Sequence, residues 1–294
     1  ANIPFQRLDA EYGGAVPRNI DYPVFVKPVK AAFSVLAAKV NNHAQLHEHT
    51  RFGAWELWVI RHLVEPFEKL LKKRLPEAGT AHSLMLEYPV KGKQYCLDGY
   101  VFQGKLTPLG VVDAVMYPGT DAFMRFDYPS RLDARVQTKA ADVAARFLKA
   151  VGFNHGLFNM EFFHDEQTDR LTVIEFNPRM ASQFSDLYAR VDGIDLHAMA
   201  FALAHGLDPA TLPVGKPTAG AASSFVYRSF KPEAQVSFPG PHAHMRFKSE
   251  FPDALLFEFP KDAQQIQRDF KWLQSYRYGI LHLGGKSAAD LKSR

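Results

Sequence analysis

Val24-Phe25-Val26-Lys27-Pro28 is a short apolar run closed by a proline, the pattern of a strand that Lys27 ends before a loop. From Trp55 to Leu75 apolar residues recur at helical spacing, and Pro66 is placed to begin a helix, so two helices joined near Glu65 and Pro66 are predicted. Leu84 to Tyr88, Tyr95 to Phe102 and Lys105 to Val112 are β-rich runs. Separated by Lys91-Gly92-Lys93 and Gln103-Gly104-Lys105, they predict a meander of antiparallel strands. Residues 138 to 151 place Ala140, Ala144, Phe147, Leu148 and Val151 on one helical stripe, with Gly152 at the stop. Leu157 to Phe163 and Leu171 to Asn177 alternate, and the polar stretch 164–170 between them predicts a hairpin. A further helix is expected from Asp195 to His205, ended by Gly206. Pro209, Pro213 and Pro217 then put a boundary near residue 215, and the tail mixes short β-like pieces with a helix from Gln264 to Gln274.

Composition narrows the class without naming it. The 294 residues are enough for about two domains, and 47% hydrophobic with 22% charged residues is the balance of a folded globular chain. A net charge of +4 spread over this length, with no basic run longer than Lys72-Lys73-Arg74, argues against nucleic acid as a partner. Cys96 is the single cysteine, so no internal disulfide can form and a reduced, cytoplasmic setting is expected. No apolar stretch is long enough to span a membrane. Cys96 itself suits a small buried side chain, and Trp55, Trp58 and Trp272 read as packing residues. His43, His47 and His49 lie close together but suit a solvated polar segment better than a zinc site.

The predicted hairpin carries the chemistry. Strand alternation puts Leu157, Asn159, Glu161 and Phe163 on one face, and Val173, Glu175 and Asn177 together on the returning strand. A hairpin centred on Thr168 sets Glu161 opposite Glu175, where two like charges repel unless something cationic intervenes. Either the face is exposed and its acids pair with surface lysines, or a hard divalent ion lies between them. Glu161, Glu175 and Asn177 offer the oxygen donors Mg²⁺ takes in nucleotide-using enzymes, and Arg179 lies two residues beyond, where a guanidinium can offset charge on a transferred phosphoryl group.

Together, Gly156-Leu157-Phe158-Asn159-Met160-Glu161 and Val173-Ile174-Glu175-Phe176-Asn177-Pro178-Arg179 resemble the paired signature of the ATP-grasp superfamily. The likeness is to its carboxylate-activating ligases related to biotin carboxylase and the carbamoyl-phosphate synthetase large chain. Pro23 to Pro28 resembles the strand whose lysine contacts the nucleotide phosphates, and Glu87-Tyr88-Pro89-Val90-Lys91-Gly92 resembles the hinge that reads adenine. The resemblance covers about residues 1–215. It implies ATP with Mg²⁺, or Mn²⁺ in its place, held by Glu161, Glu175 and Asn177. Lys27 and Ser34 are then expected at the phosphates, Glu87 and Val90 at the base, and Arg179 at the acyl-phosphate chemistry.

The fold this implies is α+β, an ATP-grasp fold of two lobes: a small lobe with flap and hinge over 1–90, a large lobe with the metal site over 91–215, and a small β-rich extension over 216–294. The implied activity is ATP-dependent ligation of a carboxylate and an amine, with small-molecule substrates and room for a homodimer. A regulatory or catalytically impaired ATP-binding protein is the alternative. The flap Val29 to Ala37, which has no glycine, and the absent first domain motivate it; Gln94, where many members carry glutamate, and Met180-Ala181-Ser182-Gln183, in place of frequent glycines after Arg179, are further departures from the family pattern. That first domain, the family's usual N-terminal one, is not among these residues, and with no initiator Met the sequence is expected to be a fragment.

Overall fold

The computed structural model describes residues 3–8, 14–30, 36–232 and 236–293, arranged as two antiparallel sheets with helices against them. The first sheet holds β1 (Phe5–Leu8), β2 (Val24–Pro28), β3 (Ala38–Val40) and β4 (Leu84–Glu87), in the order β1-β4-β2-β3. The helices α1 (His43–Thr50) and α2 (Ala54–Arg74) cover it, and Leu8, Val24, Val26, Leu46, Ile60, Leu84 and Leu86 form the core between them. Burying such side chains contributes about 1.5–3 kcal/mol each.

The helix α2 is continuous, where two helices were expected. Ile60, Val64 and Glu68 form one buried stripe that runs past Pro66, and Pro66 itself is on the exposed side. The carbonyl that the proline leaves without an N–H can therefore be hydrated, and packing on both sides outweighs the local defect. Trp55 and Trp58 are mostly exposed, meeting each other edge to face at 5.7 Å, whereas Trp272 packs onto the first core.

β4 belongs to the first sheet, so the expected meander is divided, and 88–92 is the passage from one sheet to the other. Gly92 occupies φ +113, and a Cβ there would stand 2.3 Å from the carbonyl oxygen of His164. Gly92→Ala is expected to cost about 2 kcal/mol or more, read as a lower melting temperature by circular dichroism.

The second sheet has eight strands: β5 (Lys93–Phe102), β6 (Lys105–Met116), β7 (Phe123–Tyr128), β8 (Gly156–Asp165), β9 (Arg170–Asn177), β10 (Ala221–Ser229), β11 (Leu255–Glu258) and β12 (Tyr276–Gly285). Their order is β11-β12-β10-β7-β6-β5-β8-β9. Residues 216–294 are thus continuous with the large lobe, because β10 pairs with β7 and carries β12 and β11 beyond it. The proline cluster before β10 marks a crossover and not a break between separate bodies.

One face of this sheet is covered by α3 (Ala134–Ala150), through Val136, Ala140, Ala144 and Leu148. Phe147 and Val151, expected on that stripe, are largely exposed, and Phe147 stacks on Phe176 with ring centroids 4.0 Å apart. The other face packs against α4 (Ser185–Asp192) and α5 (Leu196–Ala204) around Cys96, Val112, Phe126, Ala222 and Val226. The remaining helices α6 (Pro241–Glu250), α7 (Ala263–Leu273) and α8 (Asp290–Ser293) accompany the C-terminal strands, and Lys271 of α7 pairs with Glu56 of α2. Among the described residues no helix is long and apolar enough to cross a membrane.

Candidate active site

Glu161 on β8 is directly opposite Glu175 on β9, and Asn159 is opposite Asn177. The hairpin reaches this register by a route the sequence does not show. Near the turn the pairing is Phe162 with Val173, one residue short of the expected centre, and a bulge between Glu161 and Phe162 leaves Ile174 as the extra residue that restores Glu161 to Glu175. In consequence Val173 falls on the α3 side with Phe162, not beside Glu175 as alternation predicted. The bulge turns Glu175 and Asn177 onto the face that carries Cys96 and Glu161.

This face is acidic, with Glu161 half-buried and Glu175 exposed at its outer strand. Burial, and with it the Glu175 charge, raises the Glu161 carboxyl to about 7, against the pull of Arg179, the Gln94 hydrogen bond and Lys27. Gln94 Nε2 donates to Glu161 Oε2 at 2.9 Å. The departure from glutamate at 94 therefore puts a neutral donor beside Glu161, where a third carboxylate would add repulsion. Glu161 and Glu175 offer anionic oxygens and Asn177 a carbonyl oxygen, a donor set that fits a hard divalent cation such as Mg²⁺. Among the described residues no group of three His, Cys, Asp or Glu side chains forms an alternative metal centre, the α1 histidines included.

Cations approach from two directions. Arg179, just past β9, donates to the Met180 carbonyl at 3.1 Å and to Asn177 Oδ1 at 3.4 Å. Lys27, from the first sheet, pairs with Glu87 Oε1 at 2.8 Å and also acts on Glu161, so the two sheets share one electrostatic site. Glu87 is buried at the end of β4, and half-buried Val90 lies on the passage to β5. Ser34 lies outside the described residues. His155, the residue before β8, meets the Leu203 carbonyl with its Nε2 at 2.7 Å and ties the start of that strand to α5.

Sequence reading missed the support beneath the acids. Asp98 on β5 is 2% exposed and accepts hydrogen bonds from Tyr188 at 3.0 Å and Asn159 Nδ2 at 3.1 Å. Burial raises its carboxyl to about 7 despite those bonds and one from the Ala181 N–H. Asn159 Oδ1 in turn receives Asn177 Nδ2 at 3.4 Å, which directs Asn177 Oδ1 to Arg179. The signal was present: Gln94 and Asp98 alternate with Cys96 on a strand that is otherwise apolar.

Two lobes built on antiparallel sheets, with a lysine from one and paired acids from the other, define a nucleotide-binding architecture. The chain belongs to the ATP-grasp family, whose ATP-grasp domain matches residues 20–186. It is 31% identical over 205 residues to carnosine synthase 1 of Gallus gallus, covering 67% of this chain and 20% of that protein. Its fold resembles L-amino acid ligase of Bacillus licheniformis, with a TM-score of 0.66 at 13% identity, over 100% of this chain and 65% of that one. It also resembles biotin carboxylase of Campylobacter jejuni, solved as a complex with β-γ-ATP, with a TM-score of 0.55 at 16% identity, over 97% of this chain and 59% of that one. The chain thus spans about a fifth of the curated relative and between 59% and 65% of these solved chains.

Proposed function

We propose that this chain is the nucleotide-binding and catalytic part of an ATP-dependent ligase that joins a carboxylate to an amine, with amino acids as the substrate class. The observation that carries the reading is the Glu161–Glu175 pair, opposed in register with Glu161 half-buried and under the influence of Lys27 and Arg179. Family membership supports it, as do the names of a carnosine synthase and an L-amino acid ligase among its relatives.

In this reading Glu161, Glu175 and Asn177 hold Mg²⁺, which neutralises charge on the triphosphate when bound. Glu87 and the Val90 backbone meet the adenine, and Lys27 exchanges its bond to Glu87 for a phosphate oxygen. Ser34 donates to the phosphates. A substrate carboxylate oxygen attacks the γ-phosphorus as the bond to ADP breaks. The amine then attacks the acyl carbon, inorganic phosphate leaves, and the amine's proton passes to solvent. Arg179 faces the charge that develops on the transferred group, so positioning and electrostatics supply the catalysis.

ADP release measured over pairs of L-amino acids tests the reading. Mg²⁺-dependent release with at least one pair is expected, and Lys27→Ala is expected to raise the KM for ATP about tenfold through loss of one charged phosphate contact. Tight Mg·ATP binding without turnover on any pair would instead favour an ATP-binding regulatory protein.

A further inference from the structure

The face that carries Glu161 and Glu175 continues across the sheet onto β10 and β12. Val226 belongs to the core of that face and pairs with Ile280, and two residues further along β10, Arg228 is directly opposite Arg277. The register shifts between Tyr227 and Arg228, so Tyr278 is the extra residue that brings the two arginines level. Like charges at directly opposed positions repel, and here both are half-buried, where little solvent screens them.

Their hydrogen bonding is incomplete. Arg228 Nη1 donates to Ser275 Oγ at 3.1 Å, and its Nε is buried without a partner. The Arg277 guanidinium lies over the Phe259 ring, 4.8 Å from its centroid. Neither arginine is in an ion pair among the described residues, and Asp269, the acid that acts on both, is bound to Lys261. Burial lowers both guanidinium pKa values, most strongly opposed by Tyr117 at Arg228 and by Asp269 at Arg277. Two desolvated planar donors without a carboxylate are the complement of an oxyanion, which would cancel the repulsion and supply the missing acceptors. Glu161 and Glu175 present the inverse case, two anions that ask for a cation.

We propose that Arg228 and Arg277 form a binding site for the free carboxylate of a small-molecule substrate, the one that is retained when the other carboxylate is activated. The assignment rests on the ligase reading above. It would make the C-terminal strands the part of the chain that selects an amino acid over a simple amine.

The test is ADP release over pairs of L-amino acids, with the amine-donating partner supplied either as the free acid or as its carboxamide. In the wild type the carboxamide is expected to raise that partner's KM about tenfold or more. Arg228→Gln and Arg277→Gln are expected to raise the KM of the free acid about as much, leaving the carboxamide's KM within about twofold and Mg·ATP affinity unchanged. Arg228→Lys, which keeps the charge and loses the fork, should fall between and serves if glutamine disturbs folding. Equal KM changes for acid and carboxamide would overturn the site, and loss of Mg·ATP affinity would reassign the arginines to the nucleotide. If no pair is turned over, the ligase reading fails and the site is judged by melting at matched ionic strength. Stabilisation of the wild type by L-alanine but not by L-alaninamide, lost in both glutamine variants, upholds it. Equal melting throughout, or a response to inorganic phosphate alone, overturns it.

Discussion

Glu161→Gln is expected to do two opposite things: weaken Mg²⁺-dependent ATP binding by about tenfold or more, and raise the melting temperature of the metal-free protein at pH 8. The first follows from removing one of two charged oxygen donors. The second follows from the Glu161 carboxyl being raised to about 7 by burial and by Glu175. The unfolded chain titrates near the ordinary glutamate value of about 4.3. A group raised in the folded state favours folding in its protonated form, so its contribution is complete below about pH 4 and is lost as pH rises through 7. At pH 8 the wild type carries the whole cost, on the order of 2 kcal/mol, and glutamine, which can still accept from Gln94, does not. Fluorimetric melting in chelator should place the variant about 5 °C above wild type at pH 8, with the curves meeting near pH 4. Added Mg²⁺ should stabilise the wild type and leave the variant unmoved. Parallel melting curves across that pH range would remove the case for a repelling acid pair.

Arg179 should separate binding from chemistry. Its guanidinium is exposed and held by the Met180 carbonyl and Asn177 Oδ1, so replacing it leaves the core intact. A group that meets charge only as it develops lowers turnover without changing ground-state affinity. Arg179→Lys keeps the charge but not the planar fork, and a fall of about tenfold in kcat is expected; Arg179→Ala should lose about a hundredfold or more. Calorimetry should find Mg·ATP affinity nearly constant across the series. A large loss of affinity with normal turnover at saturation would make Arg179 a clamp on bound ATP instead.

Most of what positions the acids was legible, because alternation in β8 and β9 and the spacing of apolar residues in α3 are direct outputs of period-two and helical packing. The opposition of Glu161 and Glu175 was legible only in its result. The expected register placed the turn slightly off and contained no bulge, and the two differences offset each other. A bulge reflects which side chains the α3 face can accommodate, and local sequence does not report that. The same limit applies to Pro66: propensity predicted a new helix, but the stripe of Ile60, Val64 and Glu68 is held by contacts remote in sequence. Arg228 and Arg277 are 49 residues apart, and nothing in either strand alone announces that they meet. Asp98 was readable as a polar position in a mostly apolar strand, while its partner Tyr188 arrives from a helix beyond four further strands.

The placement of β10 between β7 and β12 has a consequence for how this molecule acquires its structure. Residues 93–177 bring six elements together through mostly local hairpins, yet the β7 edge stays unpaired until β10 reaches it from about a hundred residues downstream. Such non-local closure is slow, because the chain loses loop entropy before the contacts that offset it form. During synthesis the acid-bearing hairpin can be complete while that edge, with its apolar neighbours Phe126 and Tyr128, still faces solvent. An exposed strand edge of this kind is where intermolecular pairing begins. The C-terminal strands therefore act as the large lobe's own edge protection, and a chain cut near residue 215 would be prone to aggregate.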